Sequence, residues 1–443
     1  MKNDSQPADP AYDLVTLSTD DVVRMTDLEH IVWFEVLPGA SPEDVVETFD
    51  YSRGRGVEPA PSLRRPLSGL DGTPTPLVGI YGAYEMQLSA PGPDSTVTRM
   101  PMSGLTWVGV HPDHRRRGIL TQMMRDHLHR MYAEGAEAVA GLWAAEVEIY
   151  GRYGYGPASL EVMLTLGTGT ELKAPAHLVG EAEEISTFTQ SAHSQEAATM
   201  MLSVHQDAAA STLGTATRPD SLANIWFRDY PQARAAKEPR RVLFAVRDGD
   251  PVGYAVFRRT SVWDDHNVPG GEMTVGEIAA VDSAALLALT TRLLSFDLIS
   301  KVKFYARSID DPLVWWSGGP RSGAMAVTDA LWVRLVDLPR AMSERGYAAA
   351  CDVVIQVIDD VCEWNARRWR LVVGADGAGA CAPTDDPADV ELGVAVLGSA
   401  YLGGRSIASQ AAAGFVVEHR AGAVAELSRA MRADTEPLGT SGF

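Results

Sequence analysis

Residues 108–120 read VGVHPDHRRRGIL, in which an apolar run, a basic loop and the start of an amphipathic segment follow one another. The apolar run predicts a strand over Leu105–Val110. In the next segment, Ile119–Glu134, apolar residues recur at helical spacing, and Ala138–Trp143 predicts a further strand. Strand, helix and strand in this order indicate a β-α-β unit with parallel strands, and therefore an α/β (α+β) fold.

The basic loop lies at the start of the predicted helix, where it can form an anion site. Backbone N–H groups in the first turn of a helix have no intrahelical partner, and the helix dipole adds partial positive charge. Gly118 allows a ligand to approach the backbone closely, while Arg116 and Arg117 can add charge-assisted hydrogen bonds. These features predict a pyrophosphate site. A solvated basic helix start is the alternative interpretation.

The same order of elements is repeated further along the chain. Thr274–Val281 reads as a strand, Ala284–Ile299 as a helix and Lys301–Ala306 as a strand, at an offset of about 170 positions. We therefore predict an internal duplication. The second copy has Asp282 after its strand, with neither arginine nor glycine in the adjoining residues. We expect it to lack a pyrophosphate site, so that each chain binds one cofactor molecule.

The remaining elements flank these two copies. Residues 14–50 predict two short helices. A third, mixed unit begins near residue 313, and its elements are a helix over 338–345, strands near 353–357, 370–373 and 390–396, and a helix over 424–431. The final residues, EPLGTSGF, are typical of an unstructured tail by composition. The chain nevertheless ends in the apolar ring of Phe443.

Composition bounds the location and the partners. The chain has 443 residues and a net charge of −20 at pH 7. This charge argues against nucleic acid and against an anionic membrane, and it suits a cationic substrate. The N-terminus is polar and acidic, and no run reaches the roughly 20 apolar residues that span a bilayer, so we expect a cytoplasmic protein. Three cysteines without zinc-like spacing predict neither a disulfide framework nor a metal site.

The basic loop resembles the acetyl-CoA site of the GCN5-related N-acetyltransferase (GNAT) superfamily, whose pattern is R/Q-x-x-G-x-G/A. Here the first glycine is Gly118, and Leu120 stands at the second small position. The resemblance implies that the loop binds the pyrophosphate of acetyl-CoA and that the preceding strand contacts the pantetheine arm. The implied cofactor-binding residues are Val108, Gly109, Val110, Arg115, Arg116, Arg117, Gly118, Ile119, Leu120, Thr121 and Glu146.

A second motif, AEVEIYGRYGYGP at residues 145–157, follows the next predicted strand. In the GNAT superfamily a tyrosine in a Y-x-x-x-G-[FY] run lies near the acetyl-CoA sulfur, and Tyr150 with Gly154 and Tyr155 matches this run. A phenol with a pKa of about 10 keeps its proton at neutral pH and can donate it to the departing thiolate. The resemblance therefore implies Tyr150 as general acid, and ordinary core packing is the alternative.

Longer stretches resemble the enhanced intracellular survival (Eis) family of actinobacterial acetyltransferases. They are HRRRG, EIYGRYGYGPAS, the duplicated region, DALWVRLVDLPRAMSERGY and the terminal phenylalanine. The resemblance implies tandem GNAT-like domains and a sterol-carrier-protein-like α/β domain, at residues 1–180, 181–312 and 313–443. It also implies acetylation of aminoglycoside amines at several positions, no metal, and a homohexamer built as a dimer of trimers.

In that family the terminal carboxylate reaches the active site as general base, and here it would belong to Phe443. An α-carboxyl has a pKa of about 3.5, so it is ionised at neutral pH and can accept a proton from a substrate ammonium. The implied substrate-binding residues are Trp33, Glu35 and Glu148. The sequence departs from the family pattern at Gly442, where members can carry an acid, and at Ala145, where serine is familiar.

Two other functions stay open. One is a protein lysine acetyltransferase, which would use the same chemistry on a peptide. The other is a non-catalytic acyl-CoA or lipid-binding protein that works through its sterol-carrier-like part. The position of Tyr150 separates this second function from an enzyme, because a tyrosine directed into the core, far from Arg116, would remove the main support for catalysis.

Overall fold

The strands form three mixed sheets of eight, seven and five strands, as the predicted α/β class requires. The computed structural model describes residues 11–34, 41, 44, 47–63, 76–218, 228–234, 237–439 and 443. Glu35 and Gly442 lie outside these ranges. Among the helices described, none has the length and apolar character to cross a membrane.

The helices of the described residues are short to medium in length. They are α1 (Val22–Trp33), α2 (Ile119–Glu134), α3 (Val147–Tyr150), α4 (Ala176–Glu183), α5 (Gln195–Ala209), α6 (Ser283–Leu294), α7 (Pro312–Trp316), α8 (Leu338–Glu344), α9 (Val394–Ala400), α10 (Ile407–Ala412) and α11 (Ala423–Met431).

The strands are distributed along the whole described chain. They are β1 (Tyr12–Thr16), β2 (Arg55–Pro59), β3 (Gly79–Pro91), β4 (Val97–Val110), β5 (Val139–Trp143), β6 (Gly156–Pro157), β7 (Leu160–Gly167), β8 (Ser186–Ser191), β9 (Ala216–Thr217), β10 (Arg241–Arg247), β11 (Asp250–Thr260), β12 (Gly271–Ala280), β13 (Ile299–Arg307), β14 (Ala324–Asp329), β15 (Leu331–Leu335), β16 (Cys351–Ile358), β17 (Arg368–Val373), β18 (Gly379–Pro383), β19 (Val390–Gly393) and β20 (Val416–Glu418).

The first sheet contains the predicted β-α-β unit. Its order is β1-β2-β3-β4-β5-β15-β6, with β9 beside β3, and α2 connects the parallel strands β4 and β5. The ladder between these two covers Met102–Gly104 and Val139–Gly141, whereas β4 continues along β3 to Val110. The strands therefore separate toward their carboxyl ends. This leaves a cleft at the edge of the sheet where ligands bind in open α/β folds.

The second sheet repeats this arrangement and confirms the predicted duplication. Its order is β14-β7-β13-β12-β11-β10-β8, and α6 connects the parallel strands β12 and β13 as α2 connects β4 and β5. Antiparallel β10 and β11 precede the parallel pair, in the positions that β2 and β3 take in the first sheet.

The two sheets exchange strands. β7 (160–167) lies in the second sheet between β13 and β14, and β15 (331–335) lies in the first sheet between β5 and β6. The division at residues 180 and 312 stays a prediction. Each sheet includes strands from both sides of both positions, so the units are joined by main-chain hydrogen bonds as well as by side-chain packing.

The third unit packs directly on the first sheet. Its own sheet has the order β18-β17-β16-β19-β20, surrounded by α8 to α11. One apolar core contains Met86 and Leu88 of β3 together with Val353 of β16 and Leu392 of β19. Because this core is continuous, the last part of the chain is fixed relative to the cleft between β4 and β5.

Local patterns predicted some boundaries well and others wrongly. The bounds of α2 are those predicted. A single helix over 284–299 was wrong, because α6 ends at Leu294 and β13 begins at Ile299. The predicted strand 390–396 is a strand only to Gly393, after which α9 begins. Short apolar runs satisfy both helical and strand periods, so tertiary packing decides between them.

Candidate active site

The loop after β4 ends in an uncapped helix start. Gly118 is the N-cap residue of α2, with φ of 80°, and no side chain bonds to the first-turn N–H groups. A Cβ placed on Gly118 would meet no atom within 4 Å, so the space before the helix is open. These N–H groups and the helix dipole favour an anion. An open helix start of this kind can accept a pyrophosphate, and the pyrophosphate site stays a prediction.

The loop is held from its inner side. The Nδ1 atom of His111 accepts a hydrogen bond from Asp113 N at 3.2 Å, and His111 N donates to Val78 O at 2.9 Å. The buried His114 has its Nδ1 atom 3.0 Å from the Tyr12 hydroxyl oxygen. With these residues fixed beneath the loop, the three arginines that follow are exposed to solvent.

Two of these arginines are available to a ligand. Arg115 donates from Nε to Val110 O at 3.4 Å. Arg116 has φ of 59°, a conformation that is sparsely populated for residues with a Cβ and is concentrated at ligand sites. Within the described residues, Arg116 and Arg117 make no side-chain hydrogen bond or ion pair. Their guanidinium groups can therefore bind phosphate oxygens.

The first residues of α2 contribute in different ways. Ile119 has its side chain buried in the core, so its backbone N–H is the group that faces the helix start. Leu120 is half-buried against the same core. The Thr121 hydroxyl lies 3.1 Å from the Tyr153 hydroxyl. This hydrogen bond links the helix after the loop to the tyrosine motif after β5.

The end of β4 is irregular beside the cleft. Trp107 has φ of 57°, and the ladder with β3 shifts between Ile80 and Gly82. A bulge of this kind bends a strand and redirects its groups, and bulges are common next to active sites. Gly109 is buried, while Val108 and Val110 are half-buried. These three residues line the strand end where main-chain contacts to a ligand were predicted.

The tyrosine motif begins directly after β5. Because β4 and β5 are parallel, the basic loop and α3 follow the same edge of the sheet. Tyr150 ends α3 and is 9% exposed. Burial, then the charges of Glu146 and Tyr153, raise the pKa of Tyr150 to about 12. The phenol therefore keeps its proton at neutral pH, which suits a proton donor.

The last residue of the chain lies in the cleft. Phe443 O accepts a hydrogen bond from the Thr106 hydroxyl at 3.1 Å. Its ring packs edge to face on Trp143 with a centroid separation of 5.3 Å, and a Cβ on Gly104 would come within 2.7 Å of that ring. Thr106 and Gly104 belong to β4 and Trp143 to β5. The terminus is thus held between the two strands that separate.

Residues 436–439 are the described part of the predicted unstructured tail, and they make fixed contacts. Glu436 pairs with Arg405, and its carbonyl accepts a hydrogen bond from Ser308 at 3.3 Å. Leu438 N donates to Leu213 O at 2.8 Å, and Leu438 forms a bridge with Leu160. These contacts come from all three units, so they direct the chain toward the cleft whatever its composition.

The predicted amine-binding residues are partly placed. Trp33 ends α1 and is 40% exposed, and Glu148 is exposed, as is Glu146, which was predicted to bind the cofactor. Glu35 lies outside the described residues. α1 packs on β4, since Val32 would contact a Cβ on Gly109. Trp33 therefore lies on the helix that packs against β4, and Glu146 and Glu148 lie in the segment that follows β5.

Sequence reasoning missed three residues at this site. Thr106 and Trp143 hold Phe443, and their partner lies 337 positions from Thr106 in the sequence. Burial raises the pKa of the Glu29 carboxyl, in α1, to about 8, and this carboxyl accepts a hydrogen bond from the Trp33 side chain. An acid at helical spacing before Trp33 was the available signal for Glu29. No local pattern points to the other two.

The second copy has a different helix start. Asp282 is the N-cap residue of α6, and its Oδ1 atom accepts a hydrogen bond from Ala285 N at 2.9 Å. The same carboxylate pairs with Arg247 at 2.7 Å. The position that would receive a phosphate thus holds a carboxylate of the protein, and the expected lack of a pyrophosphate site there stays a prediction.

Family models match three parts of the chain. An acetyltransferase (GNAT) domain matches residues 71–158, a second acetyltransferase (GNAT) domain matches 214–335, and a sterol carrier protein domain matches 338–438. The order of these matches follows the two GNAT-like sheets and the third unit.

Comparisons over most of the chain also match N-acetyltransferases. An uncharacterized N-acetyltransferase of Streptomyces coelicolor is 35% identical over 84% of this chain and 87% of its own length. The N-acetyltransferase Eis of Mycobacterium tuberculosis is 31% identical over 76% of this chain and 78% of its own. The crystal structure of Eis1 from Mycobacterium abscessus has a TM-score of 0.77 at 26% identity, covering 97% of this chain and 100% of that one.

Proposed function

The chain belongs to the Eis family of GNAT N-acetyltransferases and is an N-acetyltransferase, and from this premise we propose that it acetylates primary amines of polycationic small molecules such as aminoglycosides. The acetyl donor of GNAT enzymes is acetyl-CoA. We propose that Gly118, Arg116 and Arg117 bind its pyrophosphate and that the cleft between β4 and β5 receives the thioester arm.

The observation that carries the proposal is the contact between Thr106 and Phe443. It brings the last residue of the chain to the cleft, where its terminal carboxylate would be ionised at neutral pH. In the proposed reaction that carboxylate accepts a proton from the substrate ammonium, and the amine nitrogen attacks the thioester carbonyl directly. Tyr150 donates its proton to the sulfur as the carbon–sulfur bond breaks.

The charge of the chain supports a cationic acceptor. Net charge is −20, and Glu146 and Glu148, within four residues of Tyr150 in the sequence, are exposed. Negative groups around a cleft raise the local concentration of cations and their rate of association. Several amines of one polycation could be presented in turn to a single acidic site, which is the basis for proposing acetylation at several positions.

The test compares three forms of the full chain with one amine panel. The forms are the unmodified protein, the protein with one alanine added after Phe443, and the protein with one alanine added at the N-terminus. Thiol release from acetyl-CoA is measured with aminoglycosides, polyamines and lysine peptides. We expect the C-terminal extension to lower kcat by roughly 10²-fold or more, because it converts the carboxylate to a neutral amide.

Three results would contradict the proposal. Equal rates in all forms would exclude the terminal carboxylate as base. A kcat/KM at least tenfold higher for lysine peptides than for aminoglycosides would favour the protein lysine acetyltransferase instead. Parallel double-reciprocal plots would indicate an acetylated enzyme rather than direct attack in a ternary complex.

We also propose a homohexamer, built as a dimer of trimers, and a cytoplasmic location. Large apolar side chains on the surface, including Trp263 and Phe415, support burial in subunit contacts. Light scattering after gel filtration should give six times the chain mass of 47.6 kDa. A monomeric mass at micromolar concentration would exclude this assembly without affecting the proposed chemistry.

A further inference from the structure

The tyrosine motif packs against a buried arginine of β15. Arg334 is fully buried, and its Nη1 atom donates a hydrogen bond to Leu335 O at 2.8 Å. A Cβ placed on Gly154 would come within 2.8 Å of the Arg334 guanidinium group. Gly154 also has φ of 83°, a left-handed conformation that favours glycine. The guanidinium therefore lies directly against the backbone of the motif, in the space that a side chain at Gly154 would occupy.

The turn at Gly154 is connected to Tyr150 by hydrogen bonds and by ring packing. Gly154 N donates to Gly151 O at 3.1 Å, and Tyr155 N donates to Tyr150 O at 3.3 Å. The fully buried ring of Tyr155 packs edge to face on the ring of Tyr150, with their centroids 6.2 Å apart. A shift of the backbone at Gly154 would therefore be passed to Tyr155 and so to Tyr150.

The third unit holds Arg334 in place through one carboxylate. Both oxygen atoms of Asp359 accept hydrogen bonds from Arg334 Nη2, at 2.8 and 2.7 Å. Asp359 Oδ1 also accepts from Cys362 N at 3.0 Å, and Oδ2 accepts from the Asn365 side chain at 3.1 Å. Because the arginine and the aspartate are both buried, each compensates the charge of the other. The position of Arg334 is thus set by residues 359–365, which follow β16.

The same segment also contacts the helix of the proposed pyrophosphate site. The Trp364 ring stacks on Tyr132 of α2 with the centroids 4.1 Å apart, and Val361 O lies 3.2 Å from His129 Nε2. Residues 359–365 therefore bridge α2 and, through the buried arginine, the tyrosine motif. Two parts of the proposed active site are held by one segment of the sterol-carrier-like unit.

We propose that Arg334 is a positioning residue for acetyl transfer, which fixes the tyrosine motif so that Tyr150 reaches the departing thiolate. This role rests on the proposed function of Tyr150 as general acid. Proton transfer requires the donor within hydrogen-bond reach of the acceptor, and a displacement of about 1 Å can lower a rate roughly 10²-fold. The planar guanidinium contacts Gly154 and binds Asp359 at the same time. An ammonium group does not reproduce this geometry.

The test places lysine at Arg334 and at a second buried arginine in the full chain. Arg218 forms a comparable guanidinium fork with Glu277 in the second copy, at 2.9 and 2.7 Å. Arg334→Lys and Arg218→Lys each keep the charge but lose the fork, so both should lose similar stability in urea titrations. We expect kcat to fall roughly tenfold in Arg334→Lys only, with KM for acetyl-CoA within about twofold in both variants.

A double-mutant cycle with Tyr150→Phe separates positioning from a general loss of structure. If Arg334 acts through Tyr150, the lysine substitution should lower kcat by less than about twofold in an enzyme that already carries Tyr150→Phe. A merely structural effect would lower kcat by the same factor in both backgrounds. Tyr150→Phe alone reports on the proposed function: an unchanged kcat there removes the general acid, whereas a fall in kcat without coupling to Arg334 removes only the positioning role.

A second variant keeps the test valid if the lysine at Arg334 prevents folding. Arg334→Met combined with Asp359→Asn removes both buried charges, and the asparagine oxygen can still accept a hydrogen bond from Cys362 N. We expect this variant to fold, as judged by circular dichroism, and to have kcat lowered roughly tenfold or more. Normal kcat in a folded Arg334 variant, or equal losses of kcat in Arg334→Lys and Arg218→Lys, would overturn the proposal.

Discussion

The two GNAT-like copies begin their central helices in opposite ways. α2 starts after Gly118 with no side-chain cap, and the space before its first turn is open. α6 starts after Asp282, whose carboxylate caps the helix and pairs with Arg247. Both helices connect the parallel strands of their sheets. One helix start is left for a ligand, and the other is completed by the protein.

This difference teaches that strand, loop and helix alone do not make a phosphate site. Every helix has unpaired N–H groups in its first turn, and they attract any suitable acceptor. A glycine leaves them to a ligand, whereas an aspartate satisfies them within the chain. In the second copy, Asp282 and its partner Arg247 occupy the helix start and stabilise it. This is consistent with a packing role for that unit.

The largest effect should come from Tyr150, which tests whether the chemistry belongs to the first copy alone. Tyr150→Phe removes the phenolic oxygen and little volume, so the fold should persist. We expect kcat to fall roughly 10²- to 10⁴-fold, the usual contribution of a general acid, with acetyl-CoA affinity nearly unchanged. Burial raises the pKa of Tyr150 to about 12, so its deprotonation should not limit the rate between pH 6 and 9.

The control for this change lies in the second copy. α7 follows β13 as α3 follows β5, and its sequence PLVWW contains no tyrosine. Trp315→Phe alters a side chain that is 73% exposed and should leave kcat within about twofold. A Tyr150→Phe enzyme that keeps near-normal kcat, with the chemical step shown to limit the rate, would remove Tyr150 from the proposed mechanism.

The next effect concerns the helix start itself. Gly118→Val should lower CoA affinity roughly tenfold or more, because its side chain would fill the space that the phosphates need. Gly118 has φ of 80°, so the substitution also strains the backbone. Gly135→Val is the matched control, since Gly135 ends the same helix with φ of 68° and equally open surroundings.

Calorimetry with CoA separates the effect of backbone strain from the effect of a blocked binding site. Both valine variants should lose similar stability, and the loss of CoA binding should be confined to Gly118→Val. Equal CoA affinity in the two variants would mean that the pyrophosphate does not approach Gly118. Binding of more than one CoA per chain in the unmodified protein would contradict the whole comparison between the copies.

The parts of the site that the sequence predicted are those encoded within a few residues. The bounds of α2, the uncapped Gly118 and the position of Tyr150 after β5 follow from periodicity, a glycine and a short motif. The duplication was visible because strand, helix and strand recur with the same spacing. The lack of an arginine and a glycine in residues 282–286 was enough to distinguish the second copy from the first, which has both in its basic loop.

The parts that sequence could not predict depend on distant contacts. β15 enters the first sheet and β7 the second, and neither of these strands was predicted from the sequence. Thr106 meets Phe443 because contacts from all three units hold residues 436–439. Such pairings are fixed by packing, which a single sequence does not display.

Thr106 should give an intermediate effect and sharpen the comparison at the strand. Counted from the last ladder residues Gly104 and Val275, the corresponding residue in the second copy is Glu277, which has no hydroxyl to donate. Thr106→Val keeps the volume but removes the hydrogen bond to Phe443 O, so kcat should fall roughly tenfold through a misplaced carboxylate. Thr106→Ser should restore most of kcat. A valine variant with full kcat, or a serine variant no better than valine, would show that this bond does not position the base.

The smallest effect should come from Asp282, and it tests whether the acid alone distinguishes the two helix starts. Asp282→Ala removes the N-cap of α6 and should lower the free energy of unfolding by about 1 kcal/mol. The lost pair with Arg247 is largely exposed and should add little. Ser194→Ala is the matched control, because Ser194 caps α5 in the same unit through a hydrogen bond from Ala197 N at 3.1 Å. Both variants should lose similar stability in urea titrations and keep one CoA per chain, since the second copy still lacks the arginines and the glycine. A second CoA bound by Asp282→Ala would mean that one carboxylate, rather than the whole loop, separates the copies.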